Sequence, residues 1–534
     1  MTRRAFVTWA GVTLFFLTLT AAMAWPMVRH MDSQAPQHQD VYFNMWRLRW
    51  FAHASTTSPA HVFDANIFYP EKDTLAYSDA MLVEGLVAAP FAALNPVAVQ
   101  NVMILLPMAL SGVALFALCR YLTGSPGAGL VAGVAFTLAP FRFEHIMHME
   151  LQWTIWMPLA FLALHRLCDT GRWRHGLSVG LCLALQMLSC IYYGIFLGTL
   201  LVAGAAMMFF VDRRAALKPA VTRLAAGLAI ALVIAAVYAR PFQRVHAIVG
   251  DRPIEEVHTY SAQPSNYTNV LEGNWLYGNP GRPGLGERRL FPGAIVTLAA
   301  IVGLLLRRPS ARVIVYLLLL VLAFDLSLGY SGISYPIVSR LVPPYRGLRA
   351  LARLGVFVLL FLSILAAYGY AFVVETVRPA LRIGLCTVLI GGMLVEYATT
   401  LQMAEFVTAS PPIYRVLAHS PRGVVAEVPM AEGGQTSDAR AAYLSTFHWY
   451  PLVNGYSGNF PGSYLARIER MQEFPGERAF RQLRHDGVRY LIVHEKSYTA
   501  SRIDTIRAAL AEAGAADLGE FDAGEDKARL YRLR

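Results

Sequence analysis

Long uncharged apolar runs recur through most of this chain, and they restrict its fold more than any other feature. The first run covers residues 5–28, follows Arg3 and Arg4, and contains no charged residue. A helix of this length crosses a hydrocarbon layer of about 30 Å. The chain is therefore predicted to be a polytopic α-helical membrane protein with about eleven transmembrane helices. The later predicted spans are 97–119, 126–141, 150–168, 175–190, 191–211, 221–240, 291–306, 311–329, 351–374 and 380–400.

The charge of the chain fits this class. Charged residues make up 15% of the sequence, whereas soluble domains contain about 25%. The net charge of +11 would suggest nucleic acid binding in a soluble protein. Here the basic residues lie in short loops between apolar runs, where they act as orientation signals. We therefore expect membrane lipids, and not nucleic acid, as partners.

The segment 81–95 decides the predicted orientation. It is apolar but short, and it contains Glu84 and Pro90. If it is re-entrant or in-plane, the short basic loops fall on the same side as Arg3 and Arg4, as the positive-inside rule requires. We therefore expect a cytoplasmic N-terminus, and we expect the chain to emerge outside the cytoplasm from residue 30 onward. An uncleaved anchor at 5–28 is favoured, and a signal peptide cleaved after residue 24 is the alternative.

The composition changes after residue 402. Residues 1–402 are predicted to form the transmembrane domain. Residues 403–534 contain alternating short strand and helix patterns, which predict a small extracytoplasmic α/β domain. The predicted outer loops of the transmembrane domain are 27–80, 241–290 and 330–350.

The first outer loop carries acids next to a dense aromatic set. The aromatic residues from Tyr42 to Phe51 recur at three- to four-residue spacing, which predicts a helix in the membrane interface with its apolar face down. Asp40 would then lie at the upstream end of that helix, within reach of a lipid-borne substrate. A solvated loop with an interfacial aromatic belt is the alternative. Further candidates in this region are Asp32, Tyr69 and Glu84.

Two predicted outer loops are rich in arginine, against the positive-inside rule. Arg346, Arg349 and Arg353 are spaced as one face of a helix. Arg288 and Arg289 lie in the other loop. Arginines at the outer interface suit a phosphate held bidentately. Snorkelling of these side chains to lipid headgroups is the alternative.

Two further clusters are candidates for binding. His145 and His148 are spaced to share a helix face and bind a divalent metal together with a carboxylate. No third ligand is fixed by spacing, so contacts to a sugar or phosphate, or plain interface polarity, are the alternatives. The turn-rich run 445–464 carries aromatic and amide groups that suit sugars and also suit ordinary turns. The remaining candidates in these clusters are Arg142, Glu150, His448, Asn454 and Tyr456.

Several common motifs are absent from the sequence. It contains no GxxxxGK[ST] phosphate loop, which disfavours an ATP-driven pump. It also contains no Asp-x-Asp pair and no GxSxG nucleophile motif. Nucleotide-sugar enzymes with a metal-binding Asp-x-Asp pair and α/β-hydrolases are therefore disfavoured.

The order of these features resembles the GT-C superfamily of integral-membrane glycosyltransferases, which take sugars from polyprenyl-phosphate carriers. Within that superfamily, the chain most resembles bacterial YfhO-like membrane proteins. The segments that carry the resemblance are DVYFNMWRLRWFAH (40–53), FDANIFYP (63–70), PFRFEHIMHMELQW (140–153), ERRLFPG (287–293), YRGLRALARLG (345–355) and STFHWYPLVNGYSG (445–458).

The resemblance implies an inverting transfer of sugar from polyprenyl phosphate to an envelope glycan or lipid, in the bacterial cytoplasmic membrane. Asp40 corresponds to the first-loop acid that acts as general base. Asp32 is the second choice, since Asp40 lacks an adjacent glutamate. The outer arginines would stabilise the leaving phosphate.

Two other classes of function fit parts of the pattern. A transporter or flippase of lipid-linked sugars shares the many spans and the outer arginines, but more often has ionisable residues deep within spans. A non-catalytic envelope-assembly protein would tolerate replacement of the first-loop acids.

Overall fold

The computed structural model describes residues 3–211, 217–279, 286–305 and 308–533. These residues form two compact units, which we name the helical unit and the mixed unit. The helical unit consists of Met1–Arg29, Val102–Tyr238 and Asp251–Gln402. The mixed unit consists of His30–Asn101, Ala239–Gly250 and Met403–Arg534.

Helices dominate the chain up to residue 402, as the apolar runs predict. They are Arg3–Met23, Trp25–Arg29, Gln39–Thr57, Leu82–Ala88, Pro96–Thr123, Pro126–Leu138, Pro140–Glu144, Trp156–Thr170, Trp173–Ser189, Ile191–Val211, Leu217–Val249, Ile254–Thr259, Ala294–Leu305, Ala311–Ser327, Ser334–Leu341, Gly355–Thr376 and Pro379–Tyr397.

Among the described residues, seven helices are long and apolar enough to cross a membrane. Each predicted span outside these seven helices coincides with a shorter helix. One of those spans, 291–306, ends on a residue outside the described part of the chain. The polytopic helical class is thereby confirmed, while the number of crossings stays a prediction. The long apolar segments are Phe6–Met23, Pro96–Thr123, Pro126–Glu144, Ile191–Phe210, Ala220–Val249, Leu351–Thr376 and Pro379–Tyr397.

The segment 81–95 folds as the helix Leu82–Ala88 followed by the 3₁₀ turn Ala89–Phe91. Together they measure about 15 Å at 1.5 Å per residue. That is about half of a hydrocarbon layer, a length that fits a re-entrant or in-plane segment, and whether the segment crosses stays a prediction.

Two helices of the helical unit pack through glycines. Gly176 and Gly180 lie one turn apart on Trp173–Ser189, and Gly227 lies on Leu217–Val249. A Cβ added at Gly180 would lie 2.0 Å from the carbonyl oxygen of Gly227. The spacing Gly-x-x-x-Gly permits this close backbone approach, which supplies van der Waals contact between membrane helices.

We predict that Gly180→Val lowers the yield of folded protein strongly, because a backbone carbonyl cannot move away as a side chain can. The cost of such overpacking is about 3 kcal/mol. Gly384→Val on Pro379–Tyr397 is the matched control, since a Cβ there meets nothing within 4 Å. Size-exclusion chromatography of detergent-solubilised protein measures both variants, and equal monodisperse yields would contradict the prediction.

The mixed unit contains two sheets. In the small one, β1 (Gln34–Pro36) pairs antiparallel with β2 (Met403–Glu405). The larger one has the strand order β3-β4-β6-β5. In it β3 and β4 are parallel, and β6 runs antiparallel to both of its neighbours. The strands of the larger sheet are β3 (Val424–Val428), β4 (Val488–Val493), β5 (Ala516–Asp522) and β6 (Lys527–Arg532).

Helices cover this sheet and complete the predicted α/β architecture. Buried side chains such as Val428, Leu491 and Leu510 form the core between sheet and helices. The unit is larger than the predicted domain 403–534, because β1 and the helix Gln39–Thr57 of the first predicted outer loop also belong to it. Its C-terminal helices are Pro412–Ala418, Glu432–Leu444, Gly462–Met471, Glu477–His485 and Ala500–Glu512.

A buried histidine links three strands of the larger sheet. His494 follows β4, and its ring nitrogens lie 2.9 Å from Asp526 before β6 and 2.9 Å from Glu427 in β3. Arg440 donates to Asp526 at 2.9 Å. Burial alone would lower the pKa of His494, but the hydrogen bonds and charges of the two carboxylates outweigh it and raise that pKa to about 9.

The raised pKa makes the stability of the protein depend on pH. The contribution of His494 is full below about pH 6.5, its pKa in an unfolded chain, and is lost as the pH rises through about 9. We predict that His494→Gln lowers the free energy of unfolding by about 3–5 kcal/mol near neutral pH. Melting temperatures of the two full-length proteins should converge as the pH approaches 10. A difference in melting temperature that does not change with pH would contradict the raised pKa of His494.

Candidate functional site

Asp40 lies in the first turn of the helix Gln39–Thr57 in the mixed unit. Its backbone N–H donates to His38 Nδ1 at 3.1 Å, which caps the helix. A carboxylate in the first turn is stabilised by the helix dipole. Asp40 Oδ1 accepts a hydrogen bond of 2.6 Å from the hydroxyl of Tyr456. The Asp40 side chain is 15% exposed, so the carboxylate is held in place and still reaches the surface.

Tyr456 is the partner that orients Asp40. Its hydroxyl also accepts from Gln39 Nε2 at 3.2 Å. Burial, together with the charge of Asp40 and its hydrogen bond, raises the pKa of Tyr456 well above its ordinary value. The hydroxyl therefore stays protonated and remains a donor to Asp40. The sequence suggested that Tyr456 contacts the sugar. In the structure its hydroxyl donates to the carboxylate of Asp40 and holds it in place.

The aromatic face of the helix Gln39–Thr57 is buried inside the mixed unit. Tyr42 contacts Phe406 and Tyr443, and Phe43 contacts Trp46 and Tyr456. The predicted helix is confirmed, but the expectation that its apolar face rests on the membrane is wrong. The face is covered because the C-terminal helix Glu432–Leu444 packs against it, and helical periodicity alone does not show which surface does so.

The other candidates of the mixed unit have different surroundings. Asp32 is exposed, and its backbone carbonyl accepts from Asn95. Tyr69 exposes its ring while its backbone bonds to Leu452 and Arg467. Glu84 is fully buried on Leu82–Ala88.

His448 and Asn454 point into the mixed unit. Burial lowers the pKa of His448 to about 3, so the ring is neutral, and it stacks on Tyr414. Asn454 Nδ2 donates to Asp438 Oδ1 and to the backbone carbonyl of Glu427. Its Oδ1 accepts a hydrogen bond from the backbone N–H of Glu427. These contacts hold both side chains inside the mixed unit, and the sugar contacts suggested by their residue types stay predictions.

In the helical unit, an ion pair joins two distant segments of the chain. Arg353 donates to Glu287 through Nη2 at 2.6 Å and through Nε at 3.2 Å. Burial alone would raise the pKa of Glu287, but the charge and hydrogen bonds of Arg353 hold it well below its ordinary value. Glu287 is therefore ionised, and the charge of Arg353 is neutralised inside the protein. The Arg353 guanidinium also lies over the ring of Tyr192, 5.0 Å from its centre.

Most of the other candidate arginines also have partners. Arg349 donates to Glu256 at 3.0 Å, and Arg289 contacts Glu144 at 3.2 Å. Arg288 donates to the backbone carbonyl of His258. Arg346 is exposed, and its side chain pairs with no carboxylate among the described residues.

The arginines at 346, 349 and 353 do not share one helix face, which corrects the prediction from their spacing. The segment forms the 3₁₀ turns Pro343–Gly347 and Leu351–Leu354, separated by extended backbone at Leu348. The next α-helix begins only at Gly355.

His145 and His148 lie side by side, with their Nδ1 atoms 3.4 Å apart. Glu287 Oε2 lies 3.9 Å from His145 Nε2. Burial lowers the pKa of His145 to about 3, so its ring is neutral. No group of three or more metal-ligating side chains with suitable geometry occurs in the described part of the chain. His145 therefore contributes a neutral hydrogen-bonding group, and a metal at these histidines stays a prediction.

Arg142 and Glu150 flank these histidines. Arg142 is buried and donates to the carbonyl oxygens of Leu151 and Gln152 and to the hydroxyl of Thr154. It thereby fixes the loop that carries His145 and His148. Glu150 is also nearly buried.

Sequence reasoning missed the acidic partners of the arginines. Glu287 stands directly before two arginines in ERRLFPG, which is the one local signal that could have pointed to it. Glu256 lies in a separate segment of the chain, and no spacing connects it to Arg349. Residue types suggested the arginines, whereas their partners depend on tertiary structure.

No family model and no curated protein matches this chain. Among solved structures, it is similar to the arabinofuranosyltransferase AftD from Mycobacteria, with a TM-score of 0.63 and 15% identity. The match covers 100% of this chain and 40% of AftD, so the chain spans about two fifths of the length of that enzyme. The chain has the GT-C fold. The narrower resemblance to YfhO-like proteins stays a prediction.

A second similar structure is the apo form of an oligosaccharyltransferase from Archaeoglobus fulgidus. Its TM-score is 0.49 at 12% identity, and the match covers 97% of this chain and 74% of that one. At that score the likeness adds nothing to the assignment of the fold.

We predict that Glu287→Gln and Arg353→Gln each lower the free energy of unfolding by about 3 kcal/mol or more, because each leaves a buried charge without its partner. The double variant should lose less than the sum of the two single losses. Arg346→Gln is the surface control, with an expected change below about 0.5 kcal/mol. Thermal unfolding in detergent measures all four proteins, and additive losses would contradict the pairing.

Proposed function

We propose that this chain is a membrane glycosyltransferase that moves a sugar from a polyprenyl-phosphate carrier to a hydroxyl of an envelope glycan or lipid. In this proposal the reaction takes place at the outer face of the bacterial cytoplasmic membrane. The observation that carries the proposal is the surface-reaching carboxylate of Asp40, held by Tyr456 in a chain with the GT-C fold.

Asp40 acts as the general base. Its carboxylate takes the proton from the acceptor hydroxyl as that oxygen attacks the anomeric carbon. The bond between this carbon and the phosphate oxygen breaks, and polyprenyl phosphate leaves with the bonding electrons. Attack from the opposite face inverts the anomeric configuration. Tyr456 fixes one carboxylate oxygen by its hydrogen bond, so the base is already oriented before the acceptor binds.

The ion pairs of the arginines indicate which guanidinium group is available to bind the leaving phosphate. Arg353, Arg349 and Arg289 are already paired with glutamates. Arg346 is exposed, and it takes part in none of these ion pairs. We therefore assign the phosphate contact to Arg346, which would stabilise the negative charge that develops on the leaving oxygen.

We predict that Asp40→Asn lowers transfer at least about 100-fold, the size expected for loss of a general base. The measurement is transfer of labelled sugar from polyprenyl-phosphate-linked pools into envelope polymers, at matched levels of folded protein. Asp32→Asn, at an exposed acid in the same region, is assayed in parallel. If Asp32→Asn abolishes transfer while Asp40→Asn keeps it, the base is Asp32.

Two outcomes would overturn the proposal as a whole. If both variants transfer sugar like the unmodified protein, neither first-loop acid is the base. If the unmodified protein transports labelled carrier across vesicle membranes without transferring sugar, the chain is a transporter.

A further inference from the structure

An open apolar groove lies in the mixed unit between the helix Gln39–Thr57 and the segment 88–99. Met45, Leu48 and Arg49 are spaced three and four residues apart, so they share one face of that helix. The groove has an empty volume of about 290 Å³ and opens to the surface. Apart from Arg49, the side chains that line it are apolar. The residues of the opposite wall are Ala88, Phe91, Ala92, Leu94, Pro96 and Val99.

The chain that forms the opposite wall also presents apolar side chains to the outside. No charged residue occurs between Glu84 and Arg120 in the sequence. An exposed apolar patch of this kind marks a surface that contacts a membrane or another protein. The large apolar side chains that are 40–66% exposed here are Leu86, Val87, Phe91 and Leu94.

The helix that follows this segment locates the groove relative to the membrane. Pro96–Thr123 has 28 residues and is long and apolar enough to cross. At 1.5 Å per residue it is about 42 Å long, whereas the hydrocarbon layer is about 30 Å thick. Its ends therefore reach the layer of lipid headgroups. Pro96 and Val99 line the groove at one of these ends, where the apolar chains and the phosphates of lipids meet.

Arg49 brings a positive charge to this groove. Its side chain is half-buried, and its guanidinium carbon lies 4.9 Å from the ring centre of Phe447. Burial lowers the pKa of Arg49, and among the described residues it is Tyr443, and no carboxylate, that counteracts this. A covered cation without a carboxylate gains from an anion that a ligand supplies. A guanidinium binds phosphate oxygens through two parallel hydrogen bonds.

We propose that this groove binds one anionic phospholipid of the membrane, with an acyl chain along its apolar wall and the phosphate at Arg49. A soluble anion would leave the apolar wall unused, and an uncharged lipid would leave Arg49 without an anion. A protein partner would have to displace the lipid chains that cover the exposed segment. Basic residues beside transmembrane helices recognise lipid headgroups in this way. Of the lipids with a phosphate, phospholipids form the layer in which the groove lies.

This inference goes beyond the proposed function, because the lipid is bound whether or not sugar is transferred. Asp40→Asn should therefore lose transfer and keep the bound lipid. A failure of the proposed function would leave the lipid site in place, and the reverse also holds.

The first test compares Arg49→Gln with Arg489→Gln. Arg489 is a matched control in the mixed unit, because it is also half-buried, lies over the ring of Tyr490 and donates to the backbone carbonyl of Arg422. It does not line the groove. Both substitutions remove one positive charge, so a general effect of net charge would be the same in the two variants.

Native mass spectrometry of the full-length protein in detergent measures the bound lipid. The probes are phosphatidylglycerol, which is anionic, and phosphatidylcholine with the same chains, which has no net charge. We expect the unmodified protein and Arg489→Gln to hold one phosphatidylglycerol that Arg49→Gln binds at least about tenfold more weakly. That is the order expected for the loss of a hydrogen bond to a charged group. Binding of phosphatidylcholine should be the same in all three proteins.

The second test fills the groove and leaves Arg49 in place. Ala92→Phe puts a ring into the groove, whereas Ala93→Phe puts the same ring at the neighbouring, exposed position. We expect only Ala92→Phe to lose the bound phosphatidylglycerol. Melting temperatures without added lipid show which variants fold, and this second pair decides the inference if Arg49→Gln does not.

Three results would overturn the inference. If Arg49→Gln and Arg489→Gln bind phosphatidylglycerol alike, Arg49 does not hold the headgroup. If Ala92→Phe binds it as tightly as Ala93→Phe does, the acyl chain does not use the groove. If polyprenyl phosphate at equal concentration displaces phosphatidylglycerol from the unmodified protein, the groove belongs to the carrier lipid and not to a phospholipid.

Discussion

The ion pair between Arg353 and Glu287 shows how the helical unit neutralises a charge that it buries. A buried charge without a partner is costly, and Glu287 neutralises Arg353 inside the protein, whereas the buried Arg142 is held by backbone carbonyls and a hydroxyl. Arg349 and Arg289 follow the same rule through Glu256 and Glu144. Among the candidate arginines of these loops, Arg346 stays exposed. The loops are therefore less cationic than their arginine count suggests.

A different constraint positions Asp40. Its partner Tyr456 is 416 residues away in the sequence, and the contact exists because the first predicted outer loop folds within the mixed unit. The helix Gln39–Thr57 packs its aromatic face against Glu432–Leu444, and β1 pairs with β2. The C-terminal segment thus supports the candidate base directly. Damage to the mixed unit should therefore affect Asp40 even when the substitution lies far from it in sequence.

The sequence alone determined the elements of this protein whose signals are local. Apolar runs predicted its helices, and alternating patterns after residue 402 predicted the α/β fold. Helical spacing also predicted the helix that begins beside Asp40. Only the tertiary structure decided what those elements face. It covered the aromatic face of Gln39–Thr57 with protein, paired Arg353 with Glu287, and turned His448 and Asn454 inward. Periodicity records which residues share a face, but the partner of that face comes from distant parts of the chain.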